Sequence, residues 1–266
     1  MTKAKEWSID FAEKWKNYPE PARPTRGELE IIGRYLEKKK RPKVLILGST
    51  IEYRLLCHKL KCDTAVIDYS RINYGILSKQ TKVKLNEKFI ERNWLEMGFR
   101  GEFDFILGDY AVGVVSRGDI GVFLRKLRQA VKKDGIIILK THVRDSVRGP
   151  DPCMLIKHYM RKHPKENIVS HTITRLYNAF CDPGSGQLDL SLVHRFAEEQ
   201  YRKGKIRKKD IEVFRGLYME HAKLKLFIPE KRAFGAMLRK LFRKVRVRYG
   251  RESYCRKYLP LYILRK

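Results

Sequence analysis

The chain has 266 residues, 43% of them hydrophobic with 14 Tyr and 12 Phe, which excludes global disorder and allows one large α/β domain or two small ones. Its 59 Lys+Arg against 30 Asp+Glu leave a formal +29. A field of that sign favours polyanions such as nucleic acid, whereas a heat-adapted surface would explain abundant charge but not the two-to-one excess.

No apolar run approaches the roughly 20 residues of a membrane span, and "MTKAKEWSIDFAEKWK" lacks the apolar stretch of a secretory signal. Cys57, Cys62, Cys153, Cys181 and Cys255 form no C-x-x-C pair, and the seven histidines form no H-E-x-x-H. The expectation is reduced thiols in a cytoplasmic protein, with no membrane contact and no dedicated metal site. In chain order, Thr25 and Glu28 fit a capping box, and Leu29, Ile32, Tyr35 and Leu36 follow at helical spacing; Lys38 to Lys40 and Pro42 close that helix. Strands are predicted at Val44–Leu47, Thr64–Asp68, Lys88–Arg92, Phe103–Leu107 and Gly135–Thr141. Between the last two, Asp119 opens a helix carrying Ile120, Phe123, Leu124, Leu127 and Val131, with Gly135 placed as its stop. Alternation of this kind means a parallel sheet covered by helices on both faces.

After Thr141 the alternation fails. Residues 149–228 read as helices only: one opened by Asp151–Pro152, then 166–180, a break at "CDPGSG", then 192–201 and 210–224. Pro229 starts a further helix through Phe242, and strands return at "KVRVRYG" (244–250) and "LPLYILRK" (259–266). The organisation expected is therefore a core begun by residues 1–148, a helical insertion over 149–228, and a core completed by 229–266. In "KVRVRY", Val245, Val247 and Tyr249 share one face and Lys244, Arg246 and Arg248 the other, which suits an edge strand with an exposed basic face.

The run "VLILGSTIEYR" ends a buried strand at one glycine and turns polar. Gly48 permits a sharp turn and close approach of a ligand to the backbone; Ser49 and Thr50 offer hydroxyls, and the free N–H groups of the next helix favour a carboxylate. Twenty residues on, Asp68 ends the second strand, where a carboxylate can accept both hydroxyls of a ribose. The chain has neither G-x-G-x-x-G nor a Walker A pattern, so no pyrophosphate cradle is expected. A nucleoside cofactor without a phosphate bridge remains, and S-adenosyl-L-methionine fits.

"RPKVLILGSTIEYRLL", "TAVIDYS", "ERNWLEM" and "EFDFILGDYAV" resemble successive motifs of class I S-adenosylmethionine-dependent methyltransferases, in a branch whose first motif reads L-G-x-T-x-E-x-R. The resemblance covers roughly residues 20–145 and the last strands. It implies a seven-stranded doubly wound Rossmann-like sheet, with the last strand antiparallel and inserted beside an edge strand. It also implies that Leu47, Gly48, Ser49 and Thr50 line the methionine end, that Asp68, followed by Tyr69 and Ser70, holds the ribose, that Asn93 and Trp94 flank the adenine, and that Gly108 and Asp109 face the cofactor. Asn93 departs from the Asp often found there, though an amide can also accept. Glu52 and Arg54 read equally as motif residues or as a surface pair.

Methyl transfer is an in-line displacement, and acceptor-side residues should follow the fourth and fifth strands: Asp109, Tyr110 and His142 are the catalytic candidates. No cysteine is placed there for attack on a cytosine carbon, and "GDYAVG" stands where amino-group nucleobase methylation uses a D-P-P-Y-type motif. Residues 151–266 hold 28 Lys+Arg against 11 Asp+Glu, and "YRKGKIRKKD" and "RKLFRKVRVRYGR" interleave aromatic and basic residues. That composition favours an RNA acceptor or another polyanion, bound through the basic insertion and edge strand. A small molecule under a helical lid, a protein acceptor, and a non-catalytic RNA-binding module are the alternatives.

Overall fold

The computed structural model describes residues 9–145, 149–163, 168–218, 224–251 and 256–266. A short helix α1 (Ile9–Lys14) precedes α2 (Arg26–Leu36), whose start is fixed by the expected capping box: Thr25 Oγ1 accepts from Glu28 N–H, and the Glu28 carboxylate accepts from Thr25 N–H. The core then alternates β1 (Lys43–Leu47), α3 (Ile51–Lys59), β2 (Asp63–Asp68), α4 (Arg71–Lys79), β3 (Glu87–Glu91), β4 (Phe103–Asp109), α5 (Ile120–Ala130) and β5 (Val131–Lys140). The insertion comprises α6 (Pro152–Lys162), α7 (Ile168–Phe180), β6 (Gln187–Asp189), α8 (Leu190–Arg202), α9 (Lys208–Tyr218) and β7 (Lys225–Phe227). The chain returns through α10 (Lys231–Leu241), β8 (Lys244–Arg248) and β9 (Leu261–Arg265).

Seven strands form one sheet in the order β3-β2-β1-β4-β5-β9-β8. The first five pair in parallel, and β9 runs antiparallel between β5 and β8. The reading of "KVRVRY" as an edge strand holds: β8 pairs only with β9 and exposes Lys244, Arg246 and Arg248. Alternation along β1 assigns its faces. Leu45 and Leu47 pack with Phe123, Leu124 and Leu127 of α5 and Leu238 of α10, whereas Val44 and Ile46 pack with Ile32 and Leu36 of α2 and Tyr53 and Cys57 of α3. Each fully buried leucine of these layers contributes about 2–5 kcal/mol against truncation to alanine. Strand order reverses between β1 and β4, so a crevice opens beyond their carboxyl ends.

Three local expectations need correction. Val131 is not the last helical residue but the first of β5, because α5 stops at Ala130 and the chain turns extended. Gly135 is not a helix stop; it lies inside β5, where a Cβ would sit 3.0 Å from the carbonyl oxygens of Phe103 and Asp104, next to the register shift between those strands. The insertion is not helices only. β6 and β7 form an antiparallel ribbon, and Leu224, expected in a helix, accepts from Leu190 N–H at its entrance. The insertion has its own core, including Ile156, Ile168, Leu176, Val193 and Phe214, joined by Tyr18 from the N-terminal segment.

Candidate functional site

One cavity of about 660 Å³ opens at the crevice between β1 and β4. Gly48 adopts φ +81°, and its N–H donates to Ile67 O at 2.8 Å, so the turn is tied to the end of β2. A side chain there would be strained, which explains the single glycine. Ser49 Oγ donates to Asp68 Oδ2 at 2.6 Å, and Ser70 N–H reaches Asp68 Oδ1 at 3.4 Å. The Ser49 hydroxyl is thus spent in orienting Asp68. Burial raises the Asp68 pKa and the Ser49 hydrogen bond opposes it. Thr50 precedes α3 without a side-chain cap, leaving first-turn N–H groups for an anionic ligand.

On the far side of β2, Asn93 Oδ1 accepts from Leu95 N–H at 2.9 Å and so caps a short 3₁₀ turn. The Trp94 indole donates to Ile67 O at 3.0 Å and is only 8% exposed, so Trp94 belongs to the floor as much as to the wall. Every cofactor residue expected from the sequence borders the cavity except Gly108. Gly108 lies inside the sheet, where a Cβ would meet Leu139 Cδ2 at 2.9 Å, Ala111 Cβ at 3.1 Å and Leu47 Cδ1 at 3.2 Å. It is closely packed there and does not border the cavity.

The three catalytic candidates also border the cavity, in different electrostatic states. Asp109, at the end of β4, is buried and its Oδ1 has no hydrogen-bond partner; burial pushes its pKa up to about 7 against the pull of Lys140. Lys140 is fully buried directly behind it, with Nζ 3.7 Å from Asp109 Oδ1 and 3.0 Å from Glu28 Oε2. The same ammonium donates to the Pro21 and Arg23 carbonyls at 2.9 and 3.1 Å and sits 4.9 Å over the Tyr110 ring. Tyr110 has a left-handed backbone, φ 52°, and its hydroxyl donates to Pro21 O at 2.8 Å. That hydroxyl is committed to structure rather than to proton transfer. Burial lowers the His142 pKa to about 4, with Asn178 and the Thr174 backbone opposing it, so the ring is neutral at pH 7.

The pair left open in the first motif is resolved. Glu52 does not meet Arg54: it accepts from Trp15 Nε1 at 3.2 Å and pairs with Arg23 at 3.2 Å. Arg54 is fully buried, bonded to Glu87 at 2.5 Å and Ser78 at 2.6 Å. Together they fasten the N-terminal segment, α3, α4 and β3 around the turn.

Residues the sequence reading missed close the cavity. Trp15, Tyr18 and Ala22 come from the N-terminal segment, Asn73 from α4 and Ser116 and Asp119 from the approach to α5. Ile173, Thr174 and Tyr177 of α7, with Leu226 and Phe227 of the ribbon, supply the insertion's share. The aromatic Trp15 and Tyr18, set in a charged stretch before the capping box, were the one available signal. Of the basic runs proposed for a polyanion, Lys205, Lys208 and Lys209 are exposed, but Arg207 is bound to Asp210 and to the Tyr159 hydroxyl. Phe242, one of the interleaved aromatics, is 3% exposed and packs in the main core, so it offers no stacking face.

No protein-family model matches the chain, and no curated protein matches it in sequence. Its fold is found among solved structures. One from Rhodobacter sphaeroides, described as a putative Zn-dependent alcohol dehydrogenase, is similar at a TM-score of 0.61 with 14% identity, over 100% of this chain and 99% of that one. The Burkholderia thailandensis 1,6-didemethyltoxoflavin-N1-methyltransferase, solved with 1,6-didemethyltoxoflavin and S-adenosylhomocysteine, is similar at 0.54 with 12% identity, over 95% and 80% of the two chains. The PH0226 protein of Pyrococcus horikoshii OT3 is similar at 0.50 with 12% identity, over 95% and 98%. These likenesses, together with the strand order, show the Rossmann-like methyltransferase fold.

Proposed function

We propose that the chain is an S-adenosylmethionine-dependent methyltransferase whose acceptor is a small molecule held beneath the insertion. The observation that carries this reading is a single cavity bordered on one side by Gly48, Thr50 and Asp68 and on the other by apolar residues of α7 and the ribbon. Its volume, about 660 Å³, falls within the range of sites that enclose a whole ligand. The residues present fit the cofactor: Asp68 is pre-oriented for ribose hydroxyls and the α3 start for a carboxylate. Tyr69, Asn93 and Leu95 stand where an adenine would be flanked.

When bound, S-adenosylmethionine supplies an electrophilic methyl group on a sulfonium. The chain's own part is to align the acceptor, exclude water and receive a proton where the acceptor carries one. Asp109, with a pKa near the operating pH, is the residue suited to that proton, and Lys140 behind it stabilises the ionised carboxylate. Residues 149–228 act as the cap on the acceptor side. The free thiols Cys57, Cys62, Cys153 and Cys181 support a reducing, cytoplasmic setting.

An RNA or other polyanionic acceptor is the second reading, favoured by the exposed Lys244, Arg246 and Arg248. Hydride transfer has less support: among the described residues no group of His, Cys, Asp and Glu is arranged to hold a metal, and the first turn has one glycine. Titration calorimetry with S-adenosylhomocysteine tests the cofactor. Binding is expected, and Asp68→Ala should weaken it by roughly 2–3 kcal/mol through loss of charge-assisted hydrogen bonds. Absence of binding to the unaltered chain would end this reading, whereas binding without methyl transfer to any extract fraction would favour a non-catalytic module.

A further inference from the structure

The cavity wall changes character where the chain leaves β5 and meets α7. Thr141 and His142 follow β5, while Thr174 and Asn178 lie four residues apart on one face of α7. All four are deeply buried, at 0%, 6%, 2% and 6% exposure. Among the described residues, Thr141 Oγ1, His142 Nε2, Thr174 Oγ1 and both amide atoms of Asn178 have no partner within hydrogen-bond geometry, although the Asn178 side chain lies close enough to His142 to raise its pKa. Buried polar groups in folded proteins are nearly all paired, and an orphan is costly. His142 and Thr174, which carry such atoms on the cavity wall, mark a place whose partners are brought by a ligand.

The neighbours define what that ligand is. The Tyr177 ring lies against His142, centroids 5.9 Å apart and planes at 27°, and Ile173, Leu226 and Phe227 complete an apolar surround. Among the described residues lining the cavity there is no Lys or Arg. An anionic group would lose its hydration there without gaining a counter-charge. The neutral His142 ring has the Asn178 side chain and the Thr174 backbone beside it, and its Nε2, without a hydrogen-bond partner among the described residues, can accept. The Thr174 hydroxyl is free to donate.

Resting on the methyl-transfer reading, we infer that this cluster is the acceptor subsite and that it takes an uncharged, flat heterocycle whose edge carries adjacent N–H and C=O groups, as a lactam does. The N–H meets His142 Nε2, the C=O meets the Thr174 hydroxyl, and the ring faces lie against Tyr177 and the apolar wall. Asn178, whose side chain lies beside His142, positions that ring from behind.

Three bicyclic probes of one size separate the possibilities by calorimetry on the full chain saturated with S-adenosylhomocysteine. These are 2-quinolone, a neutral lactam; naphthalene, the apolar shape alone; and quinoline-2-carboxylate, an anion. The lactam should bind at least 10-fold more tightly than either of the others. Thr174→Val should cut that preference to under 3-fold and Asn178→Leu should lower it, whereas Thr174→Ser should keep it. S-adenosylhomocysteine affinity, unchanged in all three variants, serves as the folding control. Equal or tighter binding of the carboxylate, a preference that survives Thr174→Val, or no lactam binding at all would each overturn the inference. Failure of the unaltered chain to bind S-adenosylhomocysteine would instead remove the methyl-transfer reading beneath it.

Discussion

The exterior and the cavity of this molecule are charged in opposite senses. The whole chain carries 59 Lys+Arg against 30 Asp+Glu, yet the described wall of the cavity holds Asp68, Asp109 and Asp119 and no Lys or Arg. Lys140 stands behind that wall with its ammonium turned to Glu28 and backbone carbonyls. Net charge therefore describes what the molecule meets at long range, and the lining describes what it holds. A carboxylate-lined space suits a cofactor with a sulfonium and an amino group. The surface field governs encounters with polyanions outside it.

The largest effect should follow from removing the cation behind the wall. Lys140→Met leaves Glu28 and Asp109 buried without their counter-charge and takes a donor from the Pro21 and Arg23 carbonyls, of which Pro21 keeps the Tyr110 hydroxyl, and should lower stability by about 3–5 kcal/mol. Chemical-denaturation midpoints measure this. A change under 1 kcal/mol would mean that the wall's charges are solvated after all.

Next comes pH. The folded Asp109 pKa is raised to about 7, above its unfolded value near 4. The folded state then holds a proton that the unfolded chain has released, so its contribution is fully present below about pH 4 and is lost as pH rises to about 7. That loss is on the order of 4 kcal/mol, and Asp109→Asn should flatten this part of the stability profile. Midpoints taken at several pH values between 4 and 8 compare the two proteins.

The smallest effect on the fold should come from the exterior. Lys244, Arg246 and Arg248 changed together to Glu should shift stability by within about 0.5 kcal/mol per site and leave S-adenosylhomocysteine affinity unchanged. The same change should weaken RNA binding and reduce its salt dependence, read by fluorescence anisotropy at several salt concentrations. A parallel fall in cofactor affinity would show that surface and cavity are not independent.

The core was legible because its signals are local. Apolar runs of strand length, the Thr25–Glu28 box, the strand-end Gly48 and Asp68, and the alternation of β8 each state their structure within a few residues. What escaped depends on contacts between distant segments. Val131 sits four residues after Leu127, so helical spacing claims it although the chain has already turned into β5. The strands of the ribbon have three residues each, too few for a period to show. A lysine ending "GIIILK" reads as the solvated tip of a strand, yet Lys140 is fully buried because Glu28 arrives from another part of the chain. In the site, residue types were legible but not their engagements. Nothing in "GDYAVG" tells that the Tyr110 hydroxyl is held by Pro21 while Asp109 faces Lys140.

The bonds from Lys140 to Pro21 and Arg23 span 119 and 117 residues of sequence. Such contacts form late, after shorter loops have closed. The cavity draws on Trp15 at one extreme and Ile228 at the other, so it exists only when nearly the whole chain has folded. Its ligand should therefore act as a clamp on global unfolding. Cofactor binding should slow amide exchange in the central strands β1 and β4 as much as in the turn that touches it.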